Sequence, residues 1–398
     1  MFVPVVLCDL DAAYLGFEVL RRPELRGRCV IIGGSPERRG VVCTASYEAR
    51  GFGVHSAMGT AEALRRCPQA LVLPVDMPYY AQMAKRFRAV ATRGVPVWEP
   101  VALDEVYLDL SGLRRSLPDT AAFCADLRQR VRDELGLSCS VGASVGRALA
   151  KVACELRAKP GGVAVLPGEE AAGFLAPLAV GVLPGVGPQT EAALGRYGIR
   201  TCGQLARAPL DWLVRRLGVR AEELRDLAAG IDPSRPHPSG PPKSLSVDET
   251  FASDLRSPPE VRRALDALSW ELGARLAAEG LWPCAVGLHW RTSRFVDHSR
   301  QQTLPAPVQS RQALRTIALR LWQAAGVREP VRLLGIQAGR LAARRGGLLP
   351  EDRLERVLGE LEADGMRLVP ASLLAPRGGT PRGSLPLPPP WRGGPAPR

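Results

Sequence analysis

Histidine and lysine are scarce in this chain, and long uncharged apolar runs are missing. The 398 residues include four His, and the nine cysteines (8, 29, 43, 67, 124, 139, 154, 202, 284) form no Cys-x-x-Cys pair. A zinc site is therefore not expected, and the cysteines read as reduced core thiols. No run of about 18 residues stays apolar without a charge, so no membrane span is expected. The opening residues Met1 to Asp9 carry no basic segment and run straight into an acid. They read as a buried strand, not a leader, and a cytoplasmic protein is the expectation. No internal repeat is evident.

What is present is an apolar fraction of 46%, ample for buried cores, in a length suited to two to four domains. The formal charge is +13, and nearly all of the 53 basic residues are Arg. Arg favours bidentate contact with phosphate, although codon choice explains an Arg bias equally well. The charge is uneven. Residues 1–168 hold 22 basic against 17 acidic side chains, residues 169–242 hold 8 of each, and residues 243–345 hold 16 against 9. Two basic regions thus flank a neutral one, a distribution suited to a polyanionic partner.

Strand patterns fall at Val3–Leu7, Arg28–Gly33, Gly40–Thr44, Ala70–Val75, Val101–Leu110, Ser138–Ser144 and Val163–Leu166. Helical patterns fall at Tyr47–Arg50, Gly59–Cys67, Tyr79–Thr92, Thr120–Leu135 and Arg147–Ala158, with Pro96–Pro100 as a break. This order predicts an α/β domain of about 165 residues. Residues 169–230 are helical only. Pro233–Pro242 reads as a linker, and a second α/β unit follows with strands at Trp282–Thr292 and Val331–Leu341. A short helix is predicted over Leu348–Arg367, and the Pro/Gly-rich end from Pro376 to Arg398 is expected to be disordered.

Asp9 ends one apolar run, and Asp104 and Glu105 sit inside another. Buried acids need a partner, a proton or a cation. Three carboxylates at adjacent strand ends form a hard-oxygen cage suited to Mg²⁺, and two such ions can activate a 3′-hydroxyl and stabilise leaving pyrophosphate. Adjacent residues of a straight strand point to opposite faces, so the pair at 104 and 105 requires a local bend. Exposed strand edges are the competing explanation. Tyr47 and Arg50, at helical spacing, and Lys159, on a Pro-Gly-Gly turn, are candidate phosphate contacts. Packing, pairing of Arg50 with Glu48 or Glu62, and plain solvation of Lys159 compete with that role.

Four ordered segments then carry a resemblance: Asp9-Leu10-Asp11-Ala12-Ala13-Tyr14, Thr44 to Val54 (TASYEARGFGV), Asp104-Glu105-Val106-Tyr107-Leu108-Asp109, and Ala158-Lys159-Pro160-Gly161-Gly162. With Leu183-Pro184-Gly185-Val186-Gly187 and Lys243 to Phe251 (KSLSVDETF) they resemble the Y-family (translesion) DNA polymerases, most closely the bacterial polymerase IV group. The resemblance covers roughly residues 1–345. It implies an α/β (α+β) multidomain right hand with a ferredoxin-like palm (1–10 and 76–167) and small fingers (11–75). A helical thumb with a helix-hairpin-helix (168–235), a linker (236–242), an α/β little finger (243–345) and a C-terminal extension (346–398) would follow.

By that resemblance Asp9, Asp104 and Glu105 hold two Mg²⁺ ions, with the Leu10 carbonyl as a further ligand. Thr44, Tyr47, Arg50 and Lys159 hold the triphosphate. Tyr14 is the steric gate that rejects a 2′-hydroxyl by clash. Val41, Cys43 and Ala57 roof the nascent base pair, their small size implying a loose, low-fidelity site; sheet packing alone also explains small residues there. Gly185 and Gly187 let backbone N–H groups approach a DNA phosphate, and Arg291, Arg294 and Arg300 track the DNA backbone. The implied activity is template-directed, translesion DNA synthesis on primer–template DNA from deoxynucleoside triphosphates, without proofreading, by a monomer that joins the nucleoid when working. A catalytically weak or inactive DNA-binding scaffold is the alternative.

The sequence departs from the family at several places. Ala13 replaces the usual aromatic before the gate, Ala102 a Ser, Gly59 a Pro, and Ser144-Val145-Gly146-Arg147 the usual Ser-x-Asn-Lys. No clear sliding-clamp peptide is present, Ser384-Leu385-Pro386-Leu387 being at most a remnant, so recruitment by a clamp stays open.

Overall fold

The apolar opening run becomes strand β1 (Val5–Leu10), buried at all six positions, in a computed structural model that describes residues 1–238, 240–308 and 310–343. Helix α1 (Ala13–Arg21) follows, then β2 (Val30–Gly33), β3 (Val42–Ala45), α2 (Tyr47–Arg50), α3 (Thr60–Arg66) and β4 (Leu71–Leu73). Next come α4 (Met77–Ala91), β5 (Val97–Pro100), β6 (Glu105–Asp109), α5 (Thr120–Leu135), β7 (Cys139–Ser144), α6 (Arg147–Ala153) and β8 (Val163–Val165). The strands form two sheets, β5-β6-β1-β7-β8 and β3-β2-β4.

β1 is central and antiparallel to both β6 and β7. Strand alternation divides its side chains between two cores. Val6, Cys8 and Leu10 join Phe87 of α4 and Leu127 and Val131 of α5. Val5 and Leu7 lie on the other face with Tyr107 of β6 and with Ala150 and Cys154 of the α6 segment. That segment lies close because Gly142 of β7 has no side chain: a Cβ there would sit 2.4 Å from the Ala150 carbonyl oxygen. The smaller sheet packs Ile31, Val42 and Ala45 on Met58 and Ala63, whereas Val30 and Ile32 of the same strand β2 join the core of β1.

Residues 168–228 form five helices, α7 (Gly168–Leu175), α8 (Pro188–Gly195), α9 (Cys202–Arg207), α10 (Leu210–Leu217) and α11 (Ala221–Ala228). Their apolar faces share one core with Leu149 and Val152 of α6 and Leu166. By its contacts the chain divides into two units, Met1–Pro242 with Thr250–Ser253, and Lys243–Glu249 with the chain from Asp254 onward. The second unit contains β9 (Ser244–Leu255) apart from its Thr250–Ser253 stretch, α12 (Pro258–Glu279), β10 (Leu281–Thr292), β11 (Asp297–Thr303), α13 (Arg311–Ala325) and β12 (Val331–Ala343). Its sheet runs β11-β10-β12-β9. The buried faces of the two helices carry Leu265, Leu268 and Leu272, and Leu314 and Ile317. Among the described residues no helix is long and apolar enough to cross a membrane.

Three expectations change. Val97–Pro100 is a strand, not a break: β5 is a sheet edge, where proline's missing N–H is tolerated. The single strand expected over Val101–Leu110 begins only at Glu105, after a bend at Ala102–Asp104. The start of the supposed linker is tied down, because Asp232 and Ser234 cap helix α6 and the His237 N–H donates to Glu99 at 3.0 Å. The expected helix at 348–367, the extension 346–398 with its tail 376–398, and Ser384–Leu387 lie outside the described residues.

One polar cluster joins α1 to α4. The buried Glu18 carboxylate accepts from Arg21 Nε at 3.0 Å, from Arg22 and from the Tyr80 hydroxyl at 2.8 Å. Burial pushes its pKa up, but these donors outweigh that and hold it below the usual glutamate value of 4.5. Its stabilisation is therefore full above about pH 4.5 and lost as pH falls through the lower folded value. Glu18→Gln is expected to cost about 1–3 kcal/mol at pH 7 in urea unfolding, with the difference from wild type shrinking in acid. Equal stability at pH 7 contradicts this role.

Candidate active site

The strand faces decide where the acids go. Asp9 follows Val5 and Leu7 on the α6 side of β1, and Glu105 stands directly opposite it in the β1–β6 register. Asp104 lies in the bend just before β6, and its carbonyl accepts from the Leu10 N–H at 2.9 Å. The bend relieves the alternation that would otherwise send 104 and 105 to opposite faces. Leu10 closes β1 with its side chain in the core.

Two lysines from the covering segment meet these carboxylates. Lys151 of α6 donates to both oxygens of Glu105 at 2.9 Å. Beyond α6 the chain widens into a π-helical turn, Cys154–Ala158, a feature common at functional sites. Lys159 follows, with its Nζ 3.1 Å from Asp9 Oδ2 and 2.8 Å from Glu155 Oε1. Asp9, only 7% exposed, has its pKa raised to about 6 by burial, against the pull of Lys159 and with further upward pushes from Glu155 and Asp104. Asp104 is raised as well, chiefly by burial and also by Glu105. Lys159 is raised despite its burial because two carboxylates share it, whereas Asp9 has one lysine.

α6 is anchored at its start by residues far along the chain. The Leu149 N–H donates to Asp232 Oδ2 at 2.9 Å and the Arg147 N–H to Ser234 Oγ at 3.0 Å. Any Cβ on Gly146 would strike Asp232 at 2.2 Å. The loss of the family's amide at this position therefore leaves the helix end capped from elsewhere. Arg147 pairs with Glu99 at 2.9 Å and lies over the Tyr107 ring.

The remaining candidates surround this face. Tyr14 stacks on Tyr80 of α4 with ring centroids 4.6 Å apart, so α4 supports its ring. Its hydroxyl pKa is raised by burial, with contributions from Asp104 and Cys43. Buried Ser46 caps α2: its hydroxyl accepts from the Ala49 N–H at 3.1 Å and donates to the Arg28 carbonyl at 2.9 Å. Arg50 stacks on Tyr47 at 4.7 Å and donates to the Ala45 carbonyl at 3.0 Å, not to Glu48 or Glu62. Tyr47 is raised by burial and Asp11, and is held back by Arg50 and Lys159. Thr44 is half-buried on β3, while Val41 and Cys43 face outward around buried Val42, whose carbonyl accepts from the N–H of exposed Ala57 at 2.8 Å.

Other predicted contacts are dispersed. Gly187 caps α8, and Gly185 has Arg220 against it. In the second unit Arg291 is bidentate to Asp297 at 2.7 and 2.8 Å, and Arg294 pairs with Glu329. Arg300 lies opposite core-facing Leu288, so its sheet face is not that of Arg291. Sequence reasoning did not single out Lys151, Glu155, Ser46, Tyr80 or Asp232. Lys151 had a weak signal, standing four residues after Arg147 on the helix expected at Arg147–Ala158.

A hard-oxygen donor set of three carboxylates and a backbone carbonyl fits a divalent cation. Among the described residues, however, no three His, Cys, Asp or Glu side chains are gathered into a ready cage. Glu105 is engaged by Lys151 and Asp9 by Lys159, so the acids share a face while each holds a lysine.

The impB/mucB/samB family model matches residues 8–155, and the model of that family's C-terminal domain matches 242–348. A DNA polymerase IV of Methanoculleus marisnigri is 38% identical over 346 residues, which is 86% of this chain and 95% of that protein. This chain belongs to the Y-family DNA polymerases, of the polymerase IV type. A DNA polymerase IV of Ralstonia nicotianae is 41% identical over 272 residues, covering 68% of this chain and 76% of its own. A solved Y-family DNA polymerase chimera shares the fold with a TM-score of 0.79 at 21% identity, covering 85% of this chain and 99% of that one.

The raised pKa of Asp9 means that its ionised form is a net cost to the fold, complete above about pH 6 and gone below about 3.8. Asp9→Asn is expected to stabilise the metal-free protein at pH 8 by up to about 3 kcal/mol, with the gain fading between pH 6 and 4. Chemical unfolding in EDTA measures this; a variant less stable than wild type at pH 8 contradicts the burial argument.

Proposed function

We propose that the acid-bearing face of β1 and β6 is the nucleotidyl-transfer site of a translesion-type, template-directed DNA polymerase, with Asp9, Asp104, Glu105 and the Leu10 carbonyl holding two Mg²⁺ ions. Polymerase activity itself follows from family membership, which also makes primer–template DNA and deoxynucleoside triphosphates the substrates and implies a divalent metal. The observation that carries the residue assignment is the opposition of Asp9 and Glu105 on one face, with Asp104 at the bend beside them. The ions, when bound, acidify the primer 3′-hydroxyl and neutralise charge on the departing pyrophosphate.

Each of the chain's own groups then has a task. Lys151 and Lys159 neutralise the carboxylates of the metal-free site and leave them when they ligate. Lys159, released from Asp9, turns to the triphosphate that Thr44, Tyr47 and Arg50 also hold. Arg50 ends a turn capped by Ser46 and is braced on the Tyr47 ring. Tyr14, backed by Tyr80, is the sugar gate in this reading, where a rigid plate excludes a 2′-hydroxyl. Val41, Cys43 and Ala57 give a small, exposed roof that grips the base pair weakly, consistent with low fidelity.

In this reading residues 1–10 and 76–167 are the palm, 11–75 the fingers, 168–235 the thumb, 236–242 the linker and 243–345 the little finger. Gly185 and Gly187 meet DNA phosphate. Arg291 and Arg294 reach it by giving up their carboxylate partners, and Arg300 is the exposed arginine of β11. The chain works as a monomer.

Primer extension with Mg²⁺ tests the assignment. Asp104→Ala is expected to lower extension at least about a hundredfold, the scale of several kcal/mol of lost charge stabilisation, while primer–template binding persists. A wild-type protein that binds primer–template but adds no nucleotide leaves a scaffold in place of the enzyme. Tyr14→Ala is expected to raise ribonucleotide incorporation, and Tyr80→Leu to do so more weakly by removing the brace. Unchanged sugar selection in both variants sinks the gate.

A further inference from the structure

Away from the acid-bearing face, helix α5 carries charge that its own chain leaves uncompensated. Its arginines alternate at 128, 130 and 132. Arg130 pairs with Asp126 at 2.9 Å. The other acids of this part of the helix are also engaged, Asp133 by Gln129 at 2.8 Å and Glu134 by Arg93 at 2.7 Å. Arg128 and Arg132 remain, four residues apart, where like charges destabilise a helix. Arg26, just beyond the turn Pro23–Leu25, adds a third cation.

All three arginines line one cavity of about 420 Å³ with Leu137, Ser138 and Cys139, and no acid lines it. Among the described residues none of the three guanidiniums forms an ion pair or a side-chain hydrogen bond with the protein. A second cavity of about 350 Å³ shares Arg26, Leu137 and Ser138 with the first and extends to Asp11, Tyr47 and Gly161. The Ser138 hydroxyl, on the shared wall, donates to Asp11 at 2.6 Å. The arginine cavity thus adjoins the flank of the fingers turn that carries Tyr47.

Guanidinium forks match phosphate oxygens bidentately, and three of them exceed what one monophosphate needs. The space is a partly open concavity of small-ligand size, not the extended stripe that tracks a nucleic-acid backbone. We infer that Arg26, Arg128 and Arg132 form an oligophosphate-binding site on the α5 side of the sheet, adjoining the turn that carries Tyr47. Its occupant is either pyrophosphate on its way out or the triphosphate of a nucleotide on its way in. That placement in the reaction rests on the proposed polymerase site; the binding does not.

The test is calorimetric titration of the whole chain, without DNA and in EDTA, with inorganic pyrophosphate and separately with dATP. Pyrophosphate is expected to bind wild type and to raise its Tm. The Arg128→Gln/Arg132→Gln variant is expected to bind it at least about tenfold more weakly and to lose the Tm shift. Without ligand that variant is expected to melt no lower than wild type, because a like-charge pair has been removed. Arg26→Gln, outside the helix, is expected to weaken binding in the same direction. Equal weakening for dATP identifies a nucleotide intake, and weakening for pyrophosphate alone identifies an outlet. The inference is overturned if wild type binds no pyrophosphate, if the double variant binds it unchanged, or if Arg50→Gln alone reproduces the whole loss. Failure of primer extension with binding intact would count against the polymerase site and leave this one standing.

Discussion

Carboxylates must be kept on a sheet face that is otherwise apolar, and most of the first unit is arranged around that demand. Asp9 and Glu105 face one another on the side of β1 and β6 where Val5, Leu7 and Tyr107 are buried. Left alone there, two acids would protonate or push the strands apart. The segment that buries their apolar neighbours also carries the compensating charge. Ala150 and Cys154 of that segment pack on the sheet, and Lys151 and Lys159 reach the acids. Packing and neutralisation come from the same dozen residues.

That coupling explains details that look unrelated. Gly142 lets the α6 segment come down onto β7, and Gly146 makes room for Asp232, which caps the helix from residues beyond the helical region. The π-helical turn at Cys154–Ala158 alters the winding so that Lys159 leaves the segment toward Asp9. Compensation stays incomplete, since the Asp9 pKa is still raised to about 6. The site holds a surplus of poorly solvated negative charge, the condition under which a divalent cation binds best. Stability is given up at the proposed metal site.

Much of this was legible in the residues. The acids at 9, 104 and 105, the Tyr47-x-x-Arg50 turn and the strand–helix order depend on local pattern, whereas the bend at 102–104 lay inside an expected strand and was called for only if both 104 and 105 face one site. The lysine partners were less visible. Lys159 reads as a phosphate ligand from its turn, but which oxygens it meets depends on strand pairing and on a π-turn that leaves no periodic mark. Tyr80 under Tyr14 and Asp232 on α6 are contacts across 66 and 83 residues or more, beyond any window of periodicity. The strand at Val97–Pro100 was hidden because proline reads as a breaker until the strand is known to be an edge. Arg291 and Arg300 looked like one basic track, but register puts them on opposite sheet faces.

Lys151 and Lys159 occupy Glu105 and Asp9, two of the carboxylates proposed to hold the metal ions. Divalent-ion affinity, measured by Mn²⁺ titration of wild type and of Lys151→Met at pH 8 without DNA or nucleotide, tests that proposal most directly. Lys151→Met is expected to bind Mn²⁺ more tightly, by about tenfold, the scale of one partly buried ion pair no longer competing. Unchanged or weaker Mn²⁺ binding in a folded variant would contradict it.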